Sequence, residues 1–389
     1  MRGLVDTTLR EGAQAPVPYL GPEQRRALVA GLGRIGVEEI ELGHAVAEPG
    51  YGDAALADLV AAARELAPRA RRAVWCRARR EDIVTAARLG LDVVSFALPC
   101  SDLHLVRRLG RSRAWALAEV GVLAGVARDA GIPVVSLGLE DATRGDPAFV
   151  AEVVAAAAAA GVDRVRLADT VGVAAPDEMA AWVGRVRAVF PSDIGVHCHD
   201  DFGLATANAV AAVRAGADWA DVSLLGLGER AGIARTEAVA AYLVTRGERQ
   251  YDVAAARSLA LDLAGWVGRP VPSHAPILGD GLFTVESGLH LAGLAADPST
   301  YEPYPPELTG AERHWRLGTG AGRAAVTALL PETTADPVGA TTRLRHAAAQ
   351  RGRSLTLAEC REVLNVTHGR AAGSWTDSTQ RANYERMPL

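Results

Sequence analysis

Between residues 3 and 250 the apolar positions follow two alternating rhythms. Short runs rich in Val, Leu and Ile, the signature of buried strands, are separated by longer stretches with apolar positions every three or four residues, the signature of amphipathic helices. Strands are predicted at 3–6 (Gly-Leu-Val-Asp), 37–42, 73–77, 93–97, 133–139, 164–169, 194–199 and 221–225. Helices are predicted between them, for example over 22–34 with Pro22 in the first turn, and over 80–89, stopping before Gly90. The alanine-rich stretch 151–160 resembles low-complexity sequence, but alanine is the best helix former and the stretch lies between two strands, so it is read as a helix.

Eight strands, each followed by a helix, in about 250 residues match the count and length of a (β/α)8 TIM barrel, an α/β fold. An open doubly wound sheet is the second choice, weakened because no G-x-G-x-x-G follows the first strand. Beyond about residue 250 the rhythm stops. Residues 271–311 are rich in Pro, Gly and aromatics and read as an extended linker, and from about 325 the pattern is helical again. Thr356-x-x-Glu359 reads as a capping box opening a helix. The expected division is a catalytic barrel over 1–250, a linker subdomain over 251–325 and a small helical subdomain over 326–389.

In a barrel of this kind the side chains that do chemistry stand at the C-terminal ends of the strands. Polar residues gather there: Asp6-Thr-Thr-Leu-Arg-Glu-Gly12, Arg77, Ser95 with Ser101, Asp102 and His104, Glu140-Asp-Ala-Thr-Arg144, Asp169-Thr170, and Gly226-Leu-Gly-Glu-Arg-Ala-Gly232. Strand seven ends in Val196-His-Cys-His-Asp-Asp201. Side chains alternate along a strand, so His197 and His199 share a face, roughly 6–7 Å apart at Cα. From spacing alone such a pair is either buried and hydrogen-bonded or a grip on one divalent metal. Cys198 points the other way, into the core.

Composition narrows the chemistry. Hydrophobic residues make up 49% of the 389, enough for a large core, and the net charge of −5 with no basic block argues against a nucleic-acid or anionic-membrane surface. Four scattered cysteines make no CxxC pair, so a reducing cytoplasm is expected. The chain enters a strand directly after Met1-Arg-Gly, leaving no signal peptide expected, and no apolar run is long enough to span a bilayer. All 41 basic residues are arginines. Without lysine, Schiff-base aldol chemistry, lysine-anchored pyridoxal phosphate and a Walker A lysine are excluded, and carbon–carbon chemistry would need a metal or acid–base groups.

Several motifs in order resemble the acyl-CoA-dependent 2-oxo acid condensing enzymes: the homocitrate, isopropylmalate and citramalate synthases. They are Asp6-Thr-Thr-Leu-Arg-Glu-Gly12, Leu167-Ala-Asp-Thr-Val-Gly172, His197-Cys-His-Asp-Asp-Phe-Gly-Leu-Ala-Thr-Ala-Asn208 and Gly226-Leu-Gly-Glu-Arg-Ala-Gly232, then Phe283-Thr-Val-Glu-Ser-Gly-Leu-His290 and Asp297-Pro-Ser-Thr-Tyr-Glu302. Trp75-Cys-Arg77, Leu98-Pro-Cys-Ser-Asp-Leu103 and Arg113-x-Trp-Ala-Leu117 look most like the homocitrate synthases associated with nitrogen fixation.

The resemblance implies a set of roles. Glu11, His197 and His199 would hold a divalent metal (Mg, Mn or Zn) that takes a 2-oxo acid, and Arg10 would stabilise the oxygen that becomes an alkoxide. Glu140, His290 and Tyr301 would handle the protons of acetyl-CoA, the co-substrate. Gln14 and Thr170 would position the 2-oxo carboxylate. Arg77 either meets the distal carboxylate of 2-oxoglutarate or is one of a surface run with Arg79 and Arg80. His290 and Tyr301 fall in the segment that, in relatives, reaches over a neighbouring subunit, which implies a homodimer. The expected activity is condensation of acetyl-CoA with 2-oxoglutarate to homocitrate. Another 2-oxo acid acceptor (2-oxoisovalerate, pyruvate or a phosphono-2-oxo acid) or a lyase on the same barrel are the alternatives.

The chain departs from the pattern at His44, Gly195, Ile233, Val285 and Gly318-Thr-Gly-Ala-Gly322, which puts the acceptor in doubt rather than the metal residues. His274, His314, His346 and His368 lack motifs and read as surface or packing residues.

Overall fold

The computed structural model describes residues 1–46 and 54–366; residues 47–53 and 367–389, including His368 and the end of the expected helical segment, lie outside the described residues. The chain divides into two compact units, residues 1–270 and 271–389.

The first unit is a closed barrel of eight parallel strands in sequence order, β8 pairing back onto β1. The strands are β1 (Gly3–Asp6), β2 (Glu39–Ala45), β3 (Arg71–Cys76), β4 (Val93–Pro99), β5 (Val134–Glu140), β6 (Arg164–Asp169), β7 (Asp193–Cys198) and β8 (Trp219–Val222). Helices α1 (Pro22–Ile35), α2 (Ala54–Leu66), α3 (Arg80–Ala87), α4 (Arg113–Asp129), α5 (Pro147–Ala159), α6 (Pro176–Arg187), α7 (Ala205–Arg214) and α8 (Thr236–Thr245) follow the strands in turn. The alanine-rich stretch is α5, started by Asp146, whose side chain accepts from the Ala148 N–H, and by Pro147 at the first position. A further helix, α9 (Val253–Trp266), packs on α1 and α8, so the barrel unit runs to Pro270.

Paired residues on parallel strands share a face, so the register identifies the barrel interior. Val5, Glu39, Ala73, Ser95, Ser136, Arg164, Gly195, Trp219 and Asp221 fall on that face. The interior is charged in layers. In the lower layer Arg164 Nη2 donates to Glu39 Oε1 at 2.6 Å and Nε to Ser136 Oγ at 3.2 Å, with the guanidinium over the Trp219 ring. One layer up, Arg166 pairs with Glu41 at 3.2 Å and with Asp221 at 2.9 Å. These ions are buried, and deleting one partner of such a pair costs about 3–5 kcal/mol because the other charge is left unpaired. A Cβ at Gly195 would stand in ordinary contact with Arg164 Cδ and Arg166 Cγ at 3.6 Å, so a side chain longer than alanine would compete with these arginines.

The second unit holds a small sheet of β9 (Thr284–Val285), β10 (His314–Leu317) and β11 (Leu355–Thr356), with β10 in the middle. Its helices are α10 (Gly288–Ala296), α11 (Arg323–Leu329), α12 (Pro337–Arg351) and α13 (Leu357–Leu364). The Pro- and Gly-rich region thus contains a helix, and Leu291 from α10 enters one apolar core with Leu317, Val326, Leu344 and Leu355. The capping box forms: Thr356 Oγ1 accepts from the Glu359 N–H at 3.2 Å, and Glu359 Oε2 accepts from the Thr356 N–H at 2.9 Å. No helix among the described residues is long and apolar enough to cross a membrane.

Behind β1, on the helix side, two buried acids lie close together. Burial pushes Glu237 up to about 7 and Asp6 up to about 6. Glu237 Oε2 accepts from the N–H of Leu225, a non-glycine residue at φ 61°. The folded state keeps the Glu237 proton through a pH range in which the unfolded chain, ordinarily near 4.5, has lost it. Native stability therefore falls as pH rises from about 4.5 to about 7, then levels off. Glu237→Gln, which cannot ionise, is expected to gain thermal midpoint relative to the native protein between pH 5 and pH 8, as measured by circular dichroism melts. A difference that stays constant across that range contradicts this assignment.

Candidate active site

The rim at the C-terminal ends of the strands encloses a cavity of about 710 Å³. Arg10, Glu11, Gln14, Arg77, Glu140, Thr170, His197 and His199 all line it, so every candidate residue of the barrel faces one space. His290 and Tyr301 belong to the second unit, where the two rings sit 4.2 Å apart, His290 on α10 and Tyr301 just after it.

Glu11, His197 and His199 are buried, and each offers a ligand atom within 4.8 Å of the other two. The strand positions arise as the alternation requires: His197 is on β7, and His199 is bridged to Ile233 beyond β8. His197 Nδ1–H donates to Asp221 Oδ2 at 2.8 Å, which turns Nε2 toward Glu11 Oε2, 3.8 Å away. A carboxylate behind a histidine fixes the ring and its tautomer, the usual support for a metal ligand. His199 Nδ1 is buried with no hydrogen-bond partner among the described residues, an orphan that a metal would satisfy. Burial and the neighbouring His197 push His199 down to about 3, so its imidazole is neutral. Burial would raise Glu11, but the Arg10 guanidinium beside it holds it at about 2, ionised. Two histidine nitrogens and one carboxylate oxygen are a fitting donor set for a divalent cation. The set does not single out one metal.

The backbone makes room for this group. A Cβ on Gly228 would sit 3.0 Å from Glu11 Cγ, and one on Gly232, at φ +93°, would meet the Gly226 carbonyl oxygen at 1.7 Å. The Gly-Leu-Gly-Glu-Arg-Ala-Gly run is thus a close approach of main chain to the Glu11 side chain. The Glu229 N–H donates to Glu11 Oε1 at 3.3 Å.

Arg10 is clamped by three acceptors: Glu41 Oε2 at 2.6 Å, Glu11 Oε2, and Gln14 Oε1 at 3.4 Å. Burial works against its charge, but Glu41 and Glu11 outweigh burial and hold the guanidinium charged. Arg77 Nε and Nη2 donate to the buried Asp82 at 2.6 and 3.0 Å, which fixes the direction of its fork. Thr170 Oγ1 accepts from the Asp141 N–H at 2.8 Å, leaving its hydroxyl proton to donate elsewhere. Glu140 is bonded by His104 Nδ1 at 2.8 Å and Arg108 Nη2 at 2.6 Å.

Some residues of the site escape the sequence reading. Asp221, Glu41 and Arg166 sit within strands, and only the charged i, i+2 pairs Glu39/Glu41 and Arg164/Arg166 signal that their inner face is polar. His44 enters the cavity because β2 breaks register between Glu41 and His44, so that a residue of the other parity turns inward. There it meets Trp75 edge-on at 5.3 Å. Six arginines and three glutamates line the cavity, a balance that favours anionic ligands. An adjoining cavity of about 840 Å³ shares Gln14, His44, Trp75 and Arg77 with it.

Comparison with known proteins decides the family. Residues 3–263 match the HMGL-like family, and residues 277–362 match the homocitrate synthase post-HMGL domain-like family. A homocitrate synthase of Frankia alni is 41% identical over 323 residues, covering 82% of this chain and 90% of that protein. The chain belongs to the homocitrate synthase family of condensing acyltransferases. A 2-phosphonomethylmalate synthase of Streptomyces rubellomurinus is 37% identical, over 83% of this chain and 86% of that protein. Among solved structures, the HMG-CoA lyase of Bacillus subtilis superposes with a TM-score of 0.60 at 23% identity, covering 71% of this chain and 96% of the lyase. That likeness speaks to the barrel fold alone.

If Asp221 supports His197 as a metal ligand, Asp221→Asn should weaken Mn²⁺ binding roughly 10–100-fold in calorimetric titration. Native affinity in a folded Asp221→Asn protein rules that support out.

Proposed function

We propose that this enzyme condenses acetyl-CoA with a 2-oxo acid, 2-oxoglutarate before others, and hydrolyses the thioester to give homocitrate and CoA. The observation that carries the reading is the convergence of Glu11, His197, His199, Arg10, Thr170 and Glu140 on one cationic cavity. The match of residues 277–362 to the homocitrate synthase post-HMGL domain-like family favours condensation over cleavage.

In this reading Glu11, His197 and His199 would hold a divalent metal, Mg, Mn or Zn, which would supply Lewis acidity toward the ketone of the 2-oxo acid. The chain's own residues do the rest. Thr170 and Gln14 orient the 2-oxo carboxylate, and Arg77, aimed by Asp82, meets the distal carboxylate. Glu140, His290 and Tyr301 serve the proton transfers of acetyl-CoA: the methyl carbon gives up a proton, and the resulting carbon nucleophile bonds to the ketone carbon. Arg10, fixed by Glu41, donates to the ketone oxygen as that oxygen gains charge. Water then cleaves the thioester, CoA leaves as the thiol, and the reaction becomes irreversible. We further read the enzyme as a cytoplasmic homodimer acting on small molecules, with His290 and Tyr301 supplied by the partner copy.

A second reading keeps the chemistry and changes the acceptor. His44 in the cavity wall, and the 2-phosphonomethylmalate synthase among the relatives, favour considering a phosphono-2-oxo acid. Thiol release from acetyl-CoA with Mg²⁺, Mn²⁺ or Zn²⁺, across a panel of 2-oxo acids, separates the two. The greatest kcat/KM is expected with 2-oxoglutarate, whereas no release with any acceptor overturns the synthase reading. Arg77→Leu is expected to raise the KM for 2-oxoglutarate at least about 10-fold and to leave that for acetyl-CoA near its native value. An unchanged KM for 2-oxoglutarate removes Arg77 from the acceptor site.

A further inference from the structure

After β4 the chain makes a π-helical turn over Leu103–Leu109, a widened form that is rare and concentrates at functional sites. One turn apart on it, His104 and Arg108 both reach Glu140: His104 Nδ1 lies 2.8 Å from Oε1 and Arg108 Nη2 lies 2.6 Å from Oε2. Each oxygen of the carboxylate therefore has its own donor, and the plane of the carboxylate is set by two contacts rather than one.

The turn is itself anchored to the residue next to Glu140. Ser101 Oγ donates to Asp141 Oδ2 at 2.5 Å and accepts from the His104 N–H at 3.2 Å. Asp141 has φ 57°, in the left-handed region, and its carboxylate is forked by Arg144 at 2.8 and 2.9 Å while its N–H goes to Thr170. Arg144 Nη2 also approaches His104 Nε2 at 3.5 Å, and the same ring nitrogen lies 3.7 Å from Asp141 Oδ2. Left-handed backbone at a non-glycine residue is held only where its surroundings over-determine it. Here the backbone of Asp141 and the side chains of His104 and Arg108 aim the same carboxylate from two adjacent loops.

We infer that His104, with Arg108, is a positioning residue for the carboxylate of Glu140, holding it oriented toward the cavity through the π-helical turn. The inference rests on Glu140 being a proton-transfer group, as proposed above. It makes no use of the metal residues. A carboxylate that has lost its orientation by an ångström can lose about 100-fold in rate while the 2-oxo acid, held by other side chains, binds as before.

The test compares kcat, KM and thermal midpoint for Glu140→Gln, His104→Leu, His104→Asn and Arg108→Gln. His104→Leu is expected to lower kcat about 10–100-fold with the KM for the 2-oxo acid within about twofold of native. His104→Asn, whose side-chain amide N–H can stand near Nδ1, is expected to recover most of that loss, which a merely structural role would not predict. Glu140→Gln with native kcat overturns the role of Glu140 itself. An inactive Glu140→Gln beside a His104→Leu of native kcat, or a His104→Asn no better than His104→Leu, overturns the positioning role alone. If His104→Leu does not fold, Arg108→Gln on the exposed side decides: lowered kcat at native KM is expected, and native kcat is contrary.

Discussion

The carboxylate of Glu41 is the point on which the active site turns. It lies inside the barrel with no exposure to water, and it accepts from Arg10 on one side and Arg166 on the other. Burial alone would raise its pKa, but the two guanidiniums hold it ionised, so the charge persists where an isolated one would be prohibitively costly. Through Arg10 it fixes the guanidinium that also touches Glu11; through Arg166 it reaches Asp221 and so His197. Two of the three candidate metal ligands are thereby tied to one buried anion. A change at Glu41 would be felt at both without touching either.

This explains why the barrel interior carries charge at all. Replacing a buried ion pair by apolar residues is often neutral for stability, so such pairs are poor evidence of a stabilising design. What the Glu39–Arg164 and Glu41–Arg166–Asp221 layers supply is direction: each side chain has a defined partner and therefore a defined orientation. Above them sits the candidate cavity, toward which Arg10, His197 and Glu11 are aimed by these partners.

Much of this was legible in the chain. Alternating periods of two and of three to four residues give the eight strands and their helices, because the hydrophobic pattern is set by burial on one face, and β1 and β6 fall where the pattern puts them. His197 and His199 share a face for the same reason, and the rim motifs gather around them. β8 lies two to three residues earlier than the pattern places it, since Trp219–Val222 is followed by the short turn at Leu224–Gly226. Less legible were features that depend on partners distant in sequence. Nothing local marks Asp221, at the start of a predicted strand, as a site residue until Arg166 and His197 stand beside it. His44 needed the break in β2, and the helix in the Pro-rich segment needed the core that Leu291 shares with Val326 and Leu344. His104 was visible as a polar residue beyond β4, but its bond to Glu140 depends on the path of a π-helical turn.

The central claim is that the 2-oxo acid binds through a metal held by Glu11, His197 and His199. Calorimetric titration of 2-oxoglutarate into metal-loaded, chelator-treated and His199→Ala protein, without acetyl-CoA, tests it most directly. Binding is predicted for the loaded native protein alone, with affinity restored to the chelated protein when metal is returned. Equal affinity in all three samples, with metal analysis showing the chelated protein to be stripped, would contradict the account.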